Sequence, residues 1–250
     1  VLMYAFLGHN FGITILAFTV IVRVATMPLT LRQMRQTRAM SSLQSQIQEI
    51  KKRYPNDRQK QSAEQMRLFR ENGVNPIGCL GPMLIQFPIW IGLYQSIIRA
   101  LPTTPENLME LSQFLYAWLP AVHRVVPLNS NFIGMNLSLP PSAPGAGMIA
   151  IMLPVFVAAS MWFMQKMMTF PTTDPTAQRT NQTMLWMMPL FIGFISFQFP
   201  SGLGLYIFVS NLIGMVIQFP VTGWGSLIPN KTVQRPSPKV TVNPSDEEGE

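Results

Sequence analysis

Hydrophobic positions along the chain gather into long, nearly uncharged runs rather than the short alternations of a half-buried strand or surface helix. Five runs are long enough to cross a bilayer, at roughly 11–31, 76–98, 148–168, 184–199 and 203–219. A helical span needs about 20 apolar residues, and the fourth run is short. Pro82, Pro88, Pro154 and Pro189 fall inside these runs. In lipid such prolines are tolerated as kinks when neighbouring helices satisfy the freed carbonyls. The stretch "FPSGLG", 199–204, carries the Pro and Gly of a tight turn between the fourth and fifth runs.

The segment after the first run is polar but patterned. Met40, Leu43, Ile47, Ile50 and Tyr54 step by 3, 4, 3, 4, a heptad seam. "YPND", 54–57, breaks that helix, and Asn56 or Asp57 can cap a second one that carries Ala63, Met66 and Phe69 and stops at Gly73. The pattern predicts an antiparallel helical hairpin over 32–73, its first helix at 31–53. In the loop 101–147, Phe114, Leu115 and Trp118 share a helical face, with Tyr116 nearby. That suits an interfacial helix with an aromatic anchor, or a helix packed on the bundle. The tail 221–250 is rich in Pro, Ser and Thr, ends in "SDEEGE", and reads as disordered.

Composition narrows the class. Only 12% of the residues are charged, against about 25% in a soluble domain, so the chain reads as an all-α integral membrane protein. One cysteine, Cys79, supports neither a disulfide framework nor a cysteine metal site, and His9 and His123 lie far apart. No cofactor or metal is expected, and no cleavable signal peptide is legible after Val1. Of 18 Lys and Arg, ten lie in 32–73, two (Lys166 and Arg179) flank the loop between the third and fourth runs, and three lie in the tail. The positive-inside rule therefore puts the hairpin, that loop and the C-terminus in the cytoplasm and the N-terminus outside. Ten bases against four acids in the hairpin fit contact with anionic lipid or ribosomal RNA; they also fit a solvated face obeying the same rule.

Arg23 breaks the pattern, because it stands inside the first run, nine residues before Arg32, about 13 Å along a helix. Mid-span Arg costs about 2.5–3.5 kcal/mol on insertion scales. None of the eleven acids falls inside a predicted span, so Arg23 has no intramembrane carboxylate in its own chain. Its stem snorkels only part of the way to water, which leaves a wet cavity as its solvation. Thr19, Thr26, Gln86, Gln95, Gln165, Gln198, Ser210, Asn211 and Gln218 are polar candidates for the walls; singly, each reads as an interhelical hydrogen bond. Methionines from Met148 to Met188 offer an adaptable apolar surface, or plain core filling. Asp174 in "TTDPTAQ" reads as an N-cap with Pro175 at the first helical position, not as a catalytic acid. No nucleophile–base pair, phosphate loop or metal cluster is legible, so the chain does not read as an enzyme.

The stretches "FTVIVRVATMPLT", "NPIGCLGPMLIQFPIWIGLY", "MQKMMTFPTTDPTAQ" and "FPSGLGLYIFVSN", in this order and with a charged hairpin after the first, carry a resemblance. From about Tyr4 to Phe219 the chain resembles the YidC–Oxa–Alb membrane protein insertases, in the short bacterial form. The resemblance implies five transmembrane helices and a cytoplasmic helical hairpin. It also implies a hydrophilic groove open to the cytoplasm and to lipid but closed to the outside. An insertase core would occupy 1–220 of a multi-pass protein of the bacterial cytoplasmic membrane, active as a monomer. Arg23 would lie in the groove and meet acidic residues of nascent membrane proteins, with Thr19, Thr26, Gln86, Gln165, Tyr206 and Asn211 as further substrate-binding residues. Tyr206 and Asn211 match the family's fifth-span pattern, whereas Ile207 stands where many members carry an aromatic. The hairpin and loops would receive the ribosome, the signal-recognition receptor or the Sec translocon. Two other classes remain open on the residues alone: a small-anion transporter or channel using Arg23 as counter-ion, and an assembly factor that only chaperones other membrane proteins.

Overall fold

The structure, a computed structural model, describes residues 2–75, 81–100, 128–169 and 175–223. A short helix α1 (Leu2–Phe6) precedes the longest one, α2 (Phe11–Ser42). The Asn10 side chain starts α2 by accepting from the amides of Gly12 and Ile13, two donors that the first turn leaves orphaned. There follow α3 (Gln44–Arg53), α4 (Arg58–Glu71), α5 (Gly81–Ala100), β1 (Asn131–Phe132), β2 (Met135–Asn136), α6 (Met148–Met168), α7 (Pro175–Ser196) and α8 (Ser201–Thr222).

α8 is the central helix. It packs on α2 and α6, α7 packs on α6 and touches α8, and α5 touches α2 and α8. Glycine sets these approaches. A Cβ on Gly202 would stand 3.2 Å from Ile15 of α2, Ile97 of α5 and the Leu137 carbonyl, and one on Gly204 would stand 3.0 Å from Leu153 of α6. Small residues let helix backbones meet where lipid gives no hydrophobic drive between them.

The apolar core lies at one end of this bundle. Ile15, Leu93, Ile97, Leu137, Leu153, Val157, Leu203 and Tyr206 are buried together there. A two-stranded antiparallel hairpin, β1 paired with β2, caps that end. The loop after it donates structure to α8: the Leu139 and Leu137 carbonyls accept from the amides of Ser201 and Gly202 at 2.9 and 3.0 Å, filling the helix's first-turn needs.

Beyond the opposite end of α2 the chain forms a separate small cluster. The helix predicted over 31–53 is not a separate piece. α2 carries Pro28 within it and runs on from the apolar run to Ser42, because neither Pro nor Gly occurs over 29–42, and it yields only at Leu43. α3 and α4 then pack through Leu43, Ile47 and Phe69, with Leu68 alongside. Ala63 and Met66, expected on the inner face, are exposed instead. Asp57 caps α4, accepting from Gln59 and Lys60. Gly73, at φ +65, ends it: the Val74 amide reaches back to the Phe69 carbonyl at 2.8 Å, and Val74 packs on Phe69.

Among the described residues, three helices are long and apolar enough to cross a membrane: α2, α6 and α8. Five spans were expected. α7 opens on the polar "PTAQRTNQT" before its apolar half begins at Met184, and residues 76–80, the expected start of the second span, lie outside the described ones. The expected interfacial helix around Trp118, the Asp174 cap and the tail from 224 on also lie outside the described residues, while Val221 and Thr222, expected in the tail, still belong to α8.

Candidate polar site between α2, α8 and α6

On α2, Phe11, Ile15, Thr19, Arg23 and Thr26 recur at steps of 4, 4, 4 and 3, one face of a helix. The first three are buried, the last two half-buried, so this face is turned toward α8. The apolar core takes the first two turns. Arg23 comes about 18 Å along α2 from Phe11, just past that core.

There the Arg23 Nε donates to Ser210 Oγ of α8 at 2.7 Å. Among the described residues no carboxylate pairs with it. Asn211, the next residue of α8, turns the other way and donates from Nδ2 to Ser160 Oγ of α6 at 3.1 Å; Ser160 in turn donates to the Val157 carbonyl. One turn on, a Cβ on Gly214 would stand 3.2 Å from Met164 Cε and 3.4 Å from Arg23 Nη1. Gly214 therefore keeps open the place where the guanidinium and a methionine of α6 approach each other. The polar side chains thus form a cross-brace from α2 through α8 to α6, resting on the apolar core.

The residues expected around Arg23 divide. Thr19 is wholly buried and spends its hydroxyl on its own helix, at the Ile15 carbonyl, 2.6 Å away. Thr26 is half-buried and does the same at Val22, 2.8 Å. Tyr206 is 1% exposed and belongs to the apolar core; its hydroxyl accepts from Gln86 Nε2 at 3.3 Å at the edge of that core, within electrostatic reach of Arg23 but not bonded to it. Asn211 stands beside Ser210 in the brace. Gln165 is half-buried on α6 one residue past Met164, and its side chain shows no hydrogen bond among the described residues. Ser160 and Gly214 belong to the site but carry no signal in the sequence, as a Ser after two Ala and a lone Gly both read as helix packing. Among the described residues no three His, Cys, Asp or Glu come together as a metal site needs.

Comparison with known proteins gives these features a context. The family model described as 60Kd inner membrane protein matches residues 2–225. The inner membrane protein ALBINO3 of Arabidopsis thaliana chloroplasts is 32% identical over 231 residues, 89% of this chain and 48% of that protein. ALBINO3-like protein 2 of Chlamydomonas reinhardtii chloroplasts is 32% identical over 208 residues, 82% of this chain and 48% of that protein. The membrane protein insertase YidC of Fusobacterium nucleatum is 31% identical over 210 residues, 84% of this chain and 85% of its own length. The chain spans about half the length of the two chloroplast relatives. With the family model matched along nearly the whole chain, it belongs to the 60Kd inner membrane protein family, the YidC–Oxa–Alb family that its motifs resemble.

Proposed function

We propose that the protein is a membrane protein insertase in which the half of the bundle beyond the apolar core receives the short polar tail of a nascent membrane protein. The observation that carries this reading is Arg23: a guanidinium held mid-helix by Ser210, half-buried and paired with no carboxylate among the described residues. A charge so placed needs water or an acidic guest, since leaving it in hydrocarbon costs several kcal/mol. A hydrated groove bordered by Arg23, Ser210, Asn211 and Gly214 answers that need. A substrate tail entering it exchanges bulk water for groove water and the guanidinium, and crosses a shorter lipid path. The substrate's own hydrophobic helix then moves into lipid, driven by apolar burial at about 25 cal/mol per Å². No nucleotide enters this scheme.

In the same reading α5 and α7 complete a five-span bundle. The charge distribution supports putting α3, α4 and the C-terminus in the cytoplasm and the capped end outside. The α3–α4 hairpin then serves as the contact for nascent chains, ribosome, signal-recognition receptor or Sec translocon, and one copy suffices for activity. The apolar core closing one end favours a vestibule over a conduit for small anions.

The test is insertion into liposomes by the purified protein alone. Arg23→Ala should slow insertion of single-span substrates with acidic tails at least several-fold while sparing neutral tails, and Arg23→Lys should retain part of the rate. An alanine variant that melts like the wild type yet inserts acidic tails at full rate refutes the electrostatic role. Arg23-dependent chloride flux without insertion establishes the transporter reading instead, and an inactive purified protein that still aids the Sec route makes it a chaperone only.

A further inference from the structure

The β1–β2 hairpin turns through two residues, Ile133 and Gly134, at φ +48 and +72. A two-residue turn with both central φ values positive is of the primed type that matches strand twist, and it favours Asn-Gly or Gly-Gly. Gly134 suits it. Ile133 does not: a β-branched side chain at positive φ is a true outlier, and such strain persists only where something compensates it. Burial inside the protein does not, for Ile133 is 66% exposed.

The depth of the turn supplies a compensation. Phe132 lies against Gly12, whose Cβ would meet the Phe132 ring at 2.1 Å, so β1 is fixed on the first turn of α2. The Gly134 carbonyl lies against Gly147, the N-cap of α6. The following loop holds the first turn of α8 through Ser201 and Gly202. The hairpin is therefore level with the starts of all three span-length helices. Directly after Gly147 come Met148, 84% exposed, and Ile149, and then the exposed Ile151, Met152, Val155 and Phe156 of α6. In a membrane this outward apolar face would meet lipid, and the exposed Ile133 stands next to Gly134, which touches the start of the same helix.

We propose that the Ile133 turn is a lipid anchor: its side chain enters the acyl-chain and glycerol boundary of the leaflet at the capped end and fixes the depth of the bundle there. The proposal rests on the membrane placement of α2, α6 and α8 and not on the role of Arg23, so the two stand or fall separately.

The first test replaces Cys79 by Ser, places single cysteines at 133, 149 and 59 in turn, and attaches a nitroxide in phosphatidylethanolamine–phosphatidylglycerol vesicles. Oxygen collisions should exceed those of a water-soluble nickel chelate at 133, as at Ile149. The reverse should hold at Gln59, exposed on α4. A nickel-dominated signal at 133 overturns the anchor, as does exclusion of both reagents, which would mean that the protein's own chain covers the tip. Ile133→Asn gives a second test in which the two accounts predict opposite signs. It creates the favoured Asn-Gly turn, so relief of strain alone raises hydrogen-exchange protection of 131–136 in bilayers. Loss of an anchor lowers that protection although the protein melts no lower in detergent; a rise refutes the proposal.

Discussion

At the scale of single residues, Ser210 and Asn211 decide most, because these neighbours on α8 reach in opposite directions, one to Arg23 and one to Ser160. Interhelical hydrogen bonds in membranes average about 0.6 kcal/mol and reach about 1.7. Ser160→Ala strips Asn211 of its acceptor and should cost about 1 kcal/mol of stability, read as a lower melting temperature in detergent, with little effect on which tails are inserted. Gly214→Leu tests space apart from charge. The new side chain occupies the point 3.4 Å from Arg23 Nη1 and 3.2 Å from Met164, so insertion of acidic tails should fall severely although Arg23 remains. Unchanged insertion would show that the substrate does not pass this point. Arg23 was legible in the sequence because a fixed charge in an apolar run has few physical explanations. Thr19, Thr26 and Tyr206 were expected to line a groove with Arg23, and their hydroxyls bond elsewhere, because a hydroxyl in a helix can bond its own backbone as readily as a neighbour, and a tyrosine ring can sit in a core with only its oxygen at the boundary. Nothing in the sequence alone chooses between those outcomes.

At the scale of elements, local rules worked where the signal was covalent or nearly so. Gly73 has φ +65, which only glycine adopts freely, and Asp57 offers the right oxygen for the first amides of α4. The heptad seam identified Leu43 and Ile47, but the break at Leu43 was not visible, nor that α2 carries straight on from the apolar run through Arg32, Arg35 and Arg38 before it. Part of what stabilises that extension is long-range: Arg38 Nη1 donates to the Val221 carbonyl at 2.7 Å, satisfying an end group of α8 183 residues away. Phe69 is the one aromatic in the α3–α4 core, and Phe69→Ala should cost about 3–5 kcal/mol locally. The expected outcome is rapid hydrogen exchange across 44–71 with α2, α6 and α8 still protected above Arg23. If exchange rises throughout the bundle as well, the two clusters are one cooperative unit. Gly73→Ala should weaken the same pair by about 1–2 kcal/mol through backbone strain alone.

For the whole molecule the deciding feature is the asymmetry along α8. Its first two turns carry Leu203, Leu205, Tyr206 and Ile207 into the apolar core, and its later turns carry Ser210, Asn211 and Gln218 in buried positions. Polar groups thus cluster where the core ends, and in the proposed reading water entering beside Arg23 would meet a plug of Ile15, Ile97, Leu137, Leu153 and Val157 before it could reach the capped end. An insertase gains from that arrangement, because a vestibule closed at one end accepts a polar tail without dissipating ion gradients. Ile97 is the sharpest place to test it, being fully buried and in reach of Gly202 at the meeting of α2, α5 and α8. Ile97→Ser removes three carbons and introduces a hydroxyl; the cavity alone costs about 2–5 kcal/mol, and a polar, roomy site admits water. Liposomes holding wild-type protein should keep an imposed proton gradient, whereas those holding the serine variant should lose it faster, with Arg23 in place in both. A serine variant that holds the gradient as well as the wild type would place the barrier elsewhere than in this core. A wild type that leaks as fast as the variant would mean that the bundle is open from end to end, and a conduit would then explain Arg23 better than a vestibule.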